Sequence, residues 1–228
     1  MGRPVRVLVV LVVVLDSATP AITAALVEVG TRDVEVRAER VTVDARAHGE
    51  LLAPAVRDVL AEGGATVRDL VAVVAGVGPG PFTGLRVGLV TAASISDTLG
   101  IPAYGVCTLD ALGYVASPGR TLVATDARRR EVYWATYADG HRVSGPAVDR
   151  PADLDLTGVE HAVGDGALRY AEILGVPVRV EPRYPPAWAL AVLAADRVRA
   201  AAPGEPLTPL YLRRPDAVEP GARKPALR

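Results

Sequence analysis

The pattern of apolar and polar positions opens with strands. Val7–Leu15 is an unbroken apolar run, rich in β-branched residues and closed by Asp16, and it reads as a buried strand. A turn at Asp16–Pro20 leads into a second run, Ile22–Glu28. Gly30 then marks a tight turn, and Val34–Val43 alternates enough to make a third strand. From His48 to Glu62 the period changes. Leu51, Leu52, Ala55, Val56, Val59 and Leu60 share one side of a helix that Gly63–Gly64 stops. Pro54 lies inside this stretch, which predicts a late start or a bend there. Val71–Ala75 is a short buried strand, Gly76–Pro81 a loop rich in glycine and proline, Thr83–Leu99 a helix and Pro102–Val106 another strand. Strand, loop, helix, strand is a parallel crossover unit.

A second set follows. Thr121–Ala127 and Glu131–Tyr137 read as strands, with a turn at Asp139–Gly140 and a further strand at Val159–Val163. Gly164–Gly166 precedes a helix over Ala167–Leu174, and Trp188–Ala201 reads as the final helix. Two β-rich halves, each opening with strand, turn and strand, predict a duplicated two-lobed α/β fold. The expected division is an N-terminal lobe over residues 1–105 and a smaller C-terminal lobe over 106–190. A C-terminal helix and segment packing back would cover 191–212, with a flexible tail at 213–228.

Composition narrows the function. Half of the 228 residues are apolar and 22% are charged, enough to build a core. A net charge of -1, with seven tyrosines, two tryptophans and one phenylalanine, argues against a chain that grips RNA by itself. The only lysine is Lys224, so a P-loop and Schiff-base chemistry on an internal lysine are excluded. The single cysteine, Cys107, permits no internal disulfide and fits a reducing cytosol. The first apolar run is too short to span a bilayer as a helix. A signal peptide is the rival reading, since Thr19–Ala21 supplies small residues after it, but Asp16 directly closing a β-branched run favours a strand. The expectation is a cytoplasmic protein without a membrane segment.

The most distinctive stretch is Gly76-Val-Gly-Pro-Gly-Pro-Phe-Thr-Gly-Leu-Arg-Val-Gly88. Its glycines allow sharp turns, Thr83 is placed to cap the following helix, and a helix N-terminus is a potential anion site. Pro79 and Pro81 each remove an N–H, which weakens a phosphate cradle and favours a rigid strand-to-helix corner. Along the helix Gly84, Gly88, Ala92 and Ser96 recur every four residues. Such a smooth stripe admits a closely approaching backbone, from the chain's own sheet or from a helix of another chain. The histidines, His48, His141 and His161, lie far apart and have no metal-ligand spacing. Cys107 reads as a small buried residue, and no Gly-x-Ser-x-Gly elbow is present. The run Arg128-Arg-Arg130 beside Asp126 is a candidate for contact with phosphate or tRNA, with the solvated reading favoured for Arg129 and Arg130.

The loop resembles the Gly-Pro-Gly-Ser-Phe-Thr-Gly-x-Arg-x-Gly signature of the TsaB (YeaZ) family. Further matches stand in order: Asp16-Ser-Ala-Thr19, His48 before Leu-Leu-Ala-Pro54, Gly105-Val-Cys-Thr-Leu109, Asp126-Ala-Arg128 with Glu131-Val-Tyr-Trp134, and Pro209-Leu-Tyr-Leu-Arg213. The resemblance implies an actin-like/Hsp70-like (ASKHA) fold and a role in making N6-threonylcarbamoyladenosine at position 37 of tRNA. It also implies a scaffold or dimerisation subunit that pairs with a catalytic TsaD-like relative, is joined by a TsaE-like ATPase, and meets tRNA only through the complex. The chain alone would form a homodimer. The catalytic relative carries paired histidines after the loop helix; here Val106–Gly113 has none. Pro81 stands where the family usually has serine.

On this reading the partner or dimer interface is expected at Leu52, Val56, Val59, Gly84, Leu85, Gly88, Ala92 and Ser96. No cofactor of its own is expected, with ATP or ADP assigned to the interface of the complex. In actin-like ATPases paired acidic residues hold Mg-nucleotide, so Asp16, Thr19 and Asp126 define a candidate nucleotide cleft; the plainer reading has the aspartates capping turns. A weak ATPase or peptidase using that cleft is the competing function.

Overall fold

The computed structural model describes residues 9–213. Its first lobe is built on a five-stranded sheet. The strands are β1 (Val10–Asp16), β2 (Ala21–Val29), β3 (Val34–Val43), β4 (Leu70–Gly76) and β5 (Ala103–Val106), in the order β3-β2-β1-β4-β5. β1, β2 and β3 form an antiparallel meander, whereas β4 runs parallel to β1 and β5 parallel to β4. β1 is covered on both faces, which is why its sequence shows no alternation. On one face Val13, Leu15, Ile22 and Leu26 pack against helices α1 (His48–Glu62) and α2 (Phe82–Leu99). On the other, Val12, Val14, Ala25 and Val27 meet α6 (Ala187–Arg199), with Ala111 of α3 (Thr108–Val115) in the same cluster.

The second lobe repeats the plan on a smaller scale. β6 (Arg120–Asp126), β7 (Val132–Ala138), β8 (His141–Asp149) and β9 (His161–Val163) are ordered β8-β7-β6-β9. β6 pairs with β7 antiparallel and with β9 in parallel, as β1 does with β2 and β4. Leu109, Leu112 and Ala116 pack on one face of this sheet, so α3 reaches both lobes. Ala167 and Leu174, from the short helices α4 (Asp165–Arg169) and α5 (Ala171–Leu174), cover the other face.

Several elements differ from the sequence pattern. α3 and β8 have no counterpart in it. The helix expected over Ala167–Leu174 is two short ones, broken at Tyr170. Pro54 neither delays nor ends α1, which begins at His48 and runs to Glu62. α6 starts at Ala187, so Ala187, Ala189 and Leu190, placed by the sequence with the second lobe, sit in the core of the first. The tail expected after residue 213 and the start of the first apolar run lie outside the described residues. No described helix is long and apolar enough to cross a membrane.

Candidate functional site at the cleft and the paired helices

The glycine-rich loop after β4 is pinned from both lobes. Val77 N–H donates to the Val106 carbonyl at 2.8 Å, and Thr108 N–H to the Gly78 carbonyl at 2.8 Å. The Thr108 hydroxyl accepts from Gly78 N–H at 3.2 Å and donates to Asp16 Oδ2 at 2.7 Å. Gly78 sits at a φ of 88°, in the left-handed region, and Gly80 is pressed onto the Ala18 carbonyl, where a Cβ would have no room. Pro81, not Thr83, occupies the N-cap of α2. Phe82 already lies in the helix, and Thr83 is exposed in its first turn.

A cavity of about 250 Å³ opens where this turn faces the second lobe, with Ser17, Thr19, His48, Pro81 and Gly84 on one side and Asp126 and Arg128 on the other. Two of the three candidate cleft residues therefore meet. Asp16 is not part of the lining. Its carboxylate is buried, accepting from Ala18 N–H at 3.0 Å and from Thr108, and burial pushes its pKa up to about 6. Thr19 is buried too, its hydroxyl accepting from Ala21 N–H at 3.2 Å. Asp126 lies 3.1 Å from the Arg169 guanidinium and 3.9 Å from that of Arg128. Behind it, Asp165 accepts from Asp126 N–H at 3.3 Å, and burial raises its pKa to about 6. Sequence reasoning missed Arg169 and Asp165 because they come from α4, distant in the chain and unmarked by any motif.

The small-residue stripe on α2 is turned inward. The Ser17 hydroxyl donates to the Gly84 carbonyl at 2.7 Å and accepts from Gly88 N–H at 2.9 Å, so it enters the helix between residues four apart. A Cβ at Gly84 would stand 2.9 Å from the Ser17 carbonyl, and one at Gly88 would collide with the Ser17 side chain. Leu52, Val56, Val59, Leu85 and Ala92 are buried in the first lobe's core. Ser96 donates to the Ile101 carbonyl at 2.6 Å and locks the end of α2. Gly84, Leu85, Gly88 and Ala92 thus serve the chain's own packing, whereas Val56, though buried, also lines an open groove between α1 and α2.

What α1 and α2 present to solvent is different. Phe82, Arg86 and Val90, four apart, form an outward stripe, with Phe82 50% and Val90 60% exposed. Arg86 lies 5.0 Å over the Phe82 ring. Between the helices Ala53, Leu60, Ala61, Val67 and Ile95 line an open, largely apolar groove of about 510 Å³.

The remaining candidates are structural. His48 Nε2 lies 2.9 Å from the Thr19 carbonyl and is buried at the start of α1. His161 is buried between Thr121 and Ala116, with its pKa lowered by burial, and His141 is exposed at the start of β8. Burial, reinforced by Asp110, pushes the Cys107 thiol up to about 11, which leaves it protonated and unsuited to nucleophilic attack.

Two sheets of matching strand order, each with an aspartate ending its central strand, β1 or β6, define a two-lobed α/β protein of the actin-like/Hsp70-like class. Residues 35–182 match the family model described as TsaD, tRNA N6-adenosine threonylcarbamoyltransferase. An uncharacterized protein of Mycobacterium tuberculosis is 53% identical over 214 residues, 93% of this chain and 96% of its own. The tRNA threonylcarbamoyladenosine biosynthesis protein TsaB of Escherichia coli is 35% identical over 130 residues, 55% of this chain and 54% of that protein. The structure of YeaZ from Pseudomonas aeruginosa superposes with a TM-score of 0.74 at 27% identity, over 89% of this chain and all of that one. The chain belongs to the TsaB (YeaZ) family, within the wider group that the TsaD model describes.

Proposed function

We propose that the protein is a non-catalytic subunit in the biosynthesis of tRNA threonylcarbamoyladenosine, acting in the cytoplasm by binding and supporting a TsaD-like enzyme. The observation that carries this reading is the outer face of α1 and α2. Phe82 and Val90 stand exposed two turns apart on one helix, and Thr91 and Ile95 of that helix line an apolar groove shared with the other. An exposed apolar stripe beside such a groove is how one helix pair receives another. A second copy takes that face when the partner is absent. A TsaE-like ATPase joins the assembly, ATP or ADP binds at the interface of the complex, and tRNA meets the chain only there.

The site chemistry favours a subunit over an enzyme. Asp16 is spent on Thr108 and Ala18, Asp126 is paired with arginine, and the Cys107 thiol is held protonated. An ATPase or peptidase working in the cleft would need one of these groups free.

Light scattering after gel filtration, on the chain alone and mixed with a TsaD-like subunit, tests the reading. A dimer that converts to a mixed complex is the expected result. Val90→Arg should leave the melting temperature unchanged and weaken that complex by about tenfold or more, since it places a charge in a desolvated contact. Undiminished binding by Val90→Arg would remove the α2 face from the interface.

A further inference from the structure

The chain passes between the lobes once at Val106–Thr108 and returns to the first sheet at α6. After α6 it crosses again. Glu205 N–H donates to the Ala103 carbonyl at 2.9 Å, on the edge strand of the first sheet. Leu207 packs on the first lobe's core, whereas Leu210 and Leu212 pack on the second lobe's core. Leu210 N–H reaches the Val77 carbonyl at 2.9 Å, and the Arg213 guanidinium pairs with Glu131, which precedes β7. Tyr211 stacks on Phe82 with ring centroids 5.1 Å apart.

This segment is also stiff. Pro206 and Pro209 fix their own φ angles, and Thr208 and Tyr211 N–H groups bond two residues back, to the Pro206 and Pro209 carbonyls at 2.8 and 3.0 Å. Those N–H groups are spent locally, and that of Leu210 reaches across to the glycine-rich loop. A short, internally bonded segment anchored in two cores resists extension, and it adds a second tie to that of α3, which also packs on both lobes.

We propose that Leu207–Arg213 is an inter-lobe strap that sets the angle between the two lobes and, through Tyr211 on Phe82, ties the N-terminus of α2 to the second lobe. It acts in the isolated chain and stands whether or not the α2 face binds a partner.

The test uses the full chain in a Cys107→Ala background, with spin labels at Thr98→Cys on α2 and Ser144→Cys on β8. Both positions are exposed, one in each lobe. With the strap intact the inter-label distance should form one narrow distribution. Replacing Leu210 and Leu212 by alanine should broaden it about twofold or shift it, while circular dichroism still shows a cooperative melt. Arg213→Glu, which sets two carboxylates against each other at Glu131, should broaden it less, and adding Glu131→Arg should restore the narrow form. A double-alanine chain that melts cooperatively and keeps the wild-type distribution overturns the proposal. If that variant does not fold, the charge pair decides: no broadening by Arg213→Glu, or no rescue by the exchange, overturns it equally.

Discussion

β1 and β6 hold equivalent places in the two lobes, each flanked by an antiparallel and a parallel neighbour and each ending in aspartate. The two carboxylates meet opposite fates. Among the described residues Asp16 has no cation beside it; a threonine hydroxyl and a backbone N–H satisfy it inside the protein, and burial raises its pKa to about 6. Asp126 faces the cavity between two half-exposed arginines. The duplication preserved position but not chemistry. One aspartate became part of the packing behind the glycine loop, and the other stayed at a polar cleft wall.

The largest expected effect comes from the loop side of the first lobe. Gly88→Leu drives a side chain into Ser17 and should lower stability by about 3 kcal/mol, read as a lower melting temperature of the isolated chain. An unchanged melt with lost partner binding would instead return the stripe to the interface. Asp16→Asn comes next. The folded pKa lies above the unfolded value of 3.8, so the contribution of Asp16 to stability is fully present below pH 3.8 and is lost as pH rises through about 6. Asn mimics the protonated acid, so denaturant titrations should show a gain of up to about 3 kcal/mol at pH 8 that fades below pH 4. A gain independent of pH would break the comparison. Asp126→Asn should be the mildest, below about 1 kcal/mol at pH 8, because its main partner Arg169 is 58% exposed and solvent screens the pair.

Much of the fold was legible because burial on one or both faces leaves a periodic signature. α1 runs over the residues its apolar spacing marks, and β1 is the central strand that a continuous β-branched run predicts. β8 was hidden because an edge strand needs little apolar content: its sequence includes Gly145-Pro146, and its first half is exposed. α3 was hidden for the opposite reason. Buried by both lobes over most of its eight residues, it keeps only Asp110 and Tyr114 on an outer side, too little to give a period. The site was less legible still. A stripe of small residues states that something approaches closely, not what approaches, and Ser17 lies too far away in the chain to be read from that spacing. The outer stripe of Phe82, Arg86 and Val90 was visible in the same helix, but a phenylalanine at a helix start reads as core until its exposure is known.

α6 has a consequence for how the chain is made. The first sheet is complete in its strands by Val106, yet the face bearing Val12, Val14, Ala25 and Val27 gains its main cover only from Ala187–Arg199. During synthesis the whole second lobe leaves the ribosome in between. The first lobe to be translated therefore waits for its cover until the second lobe's strands have been made, and in that interval its apolar strands are exposed to aggregation.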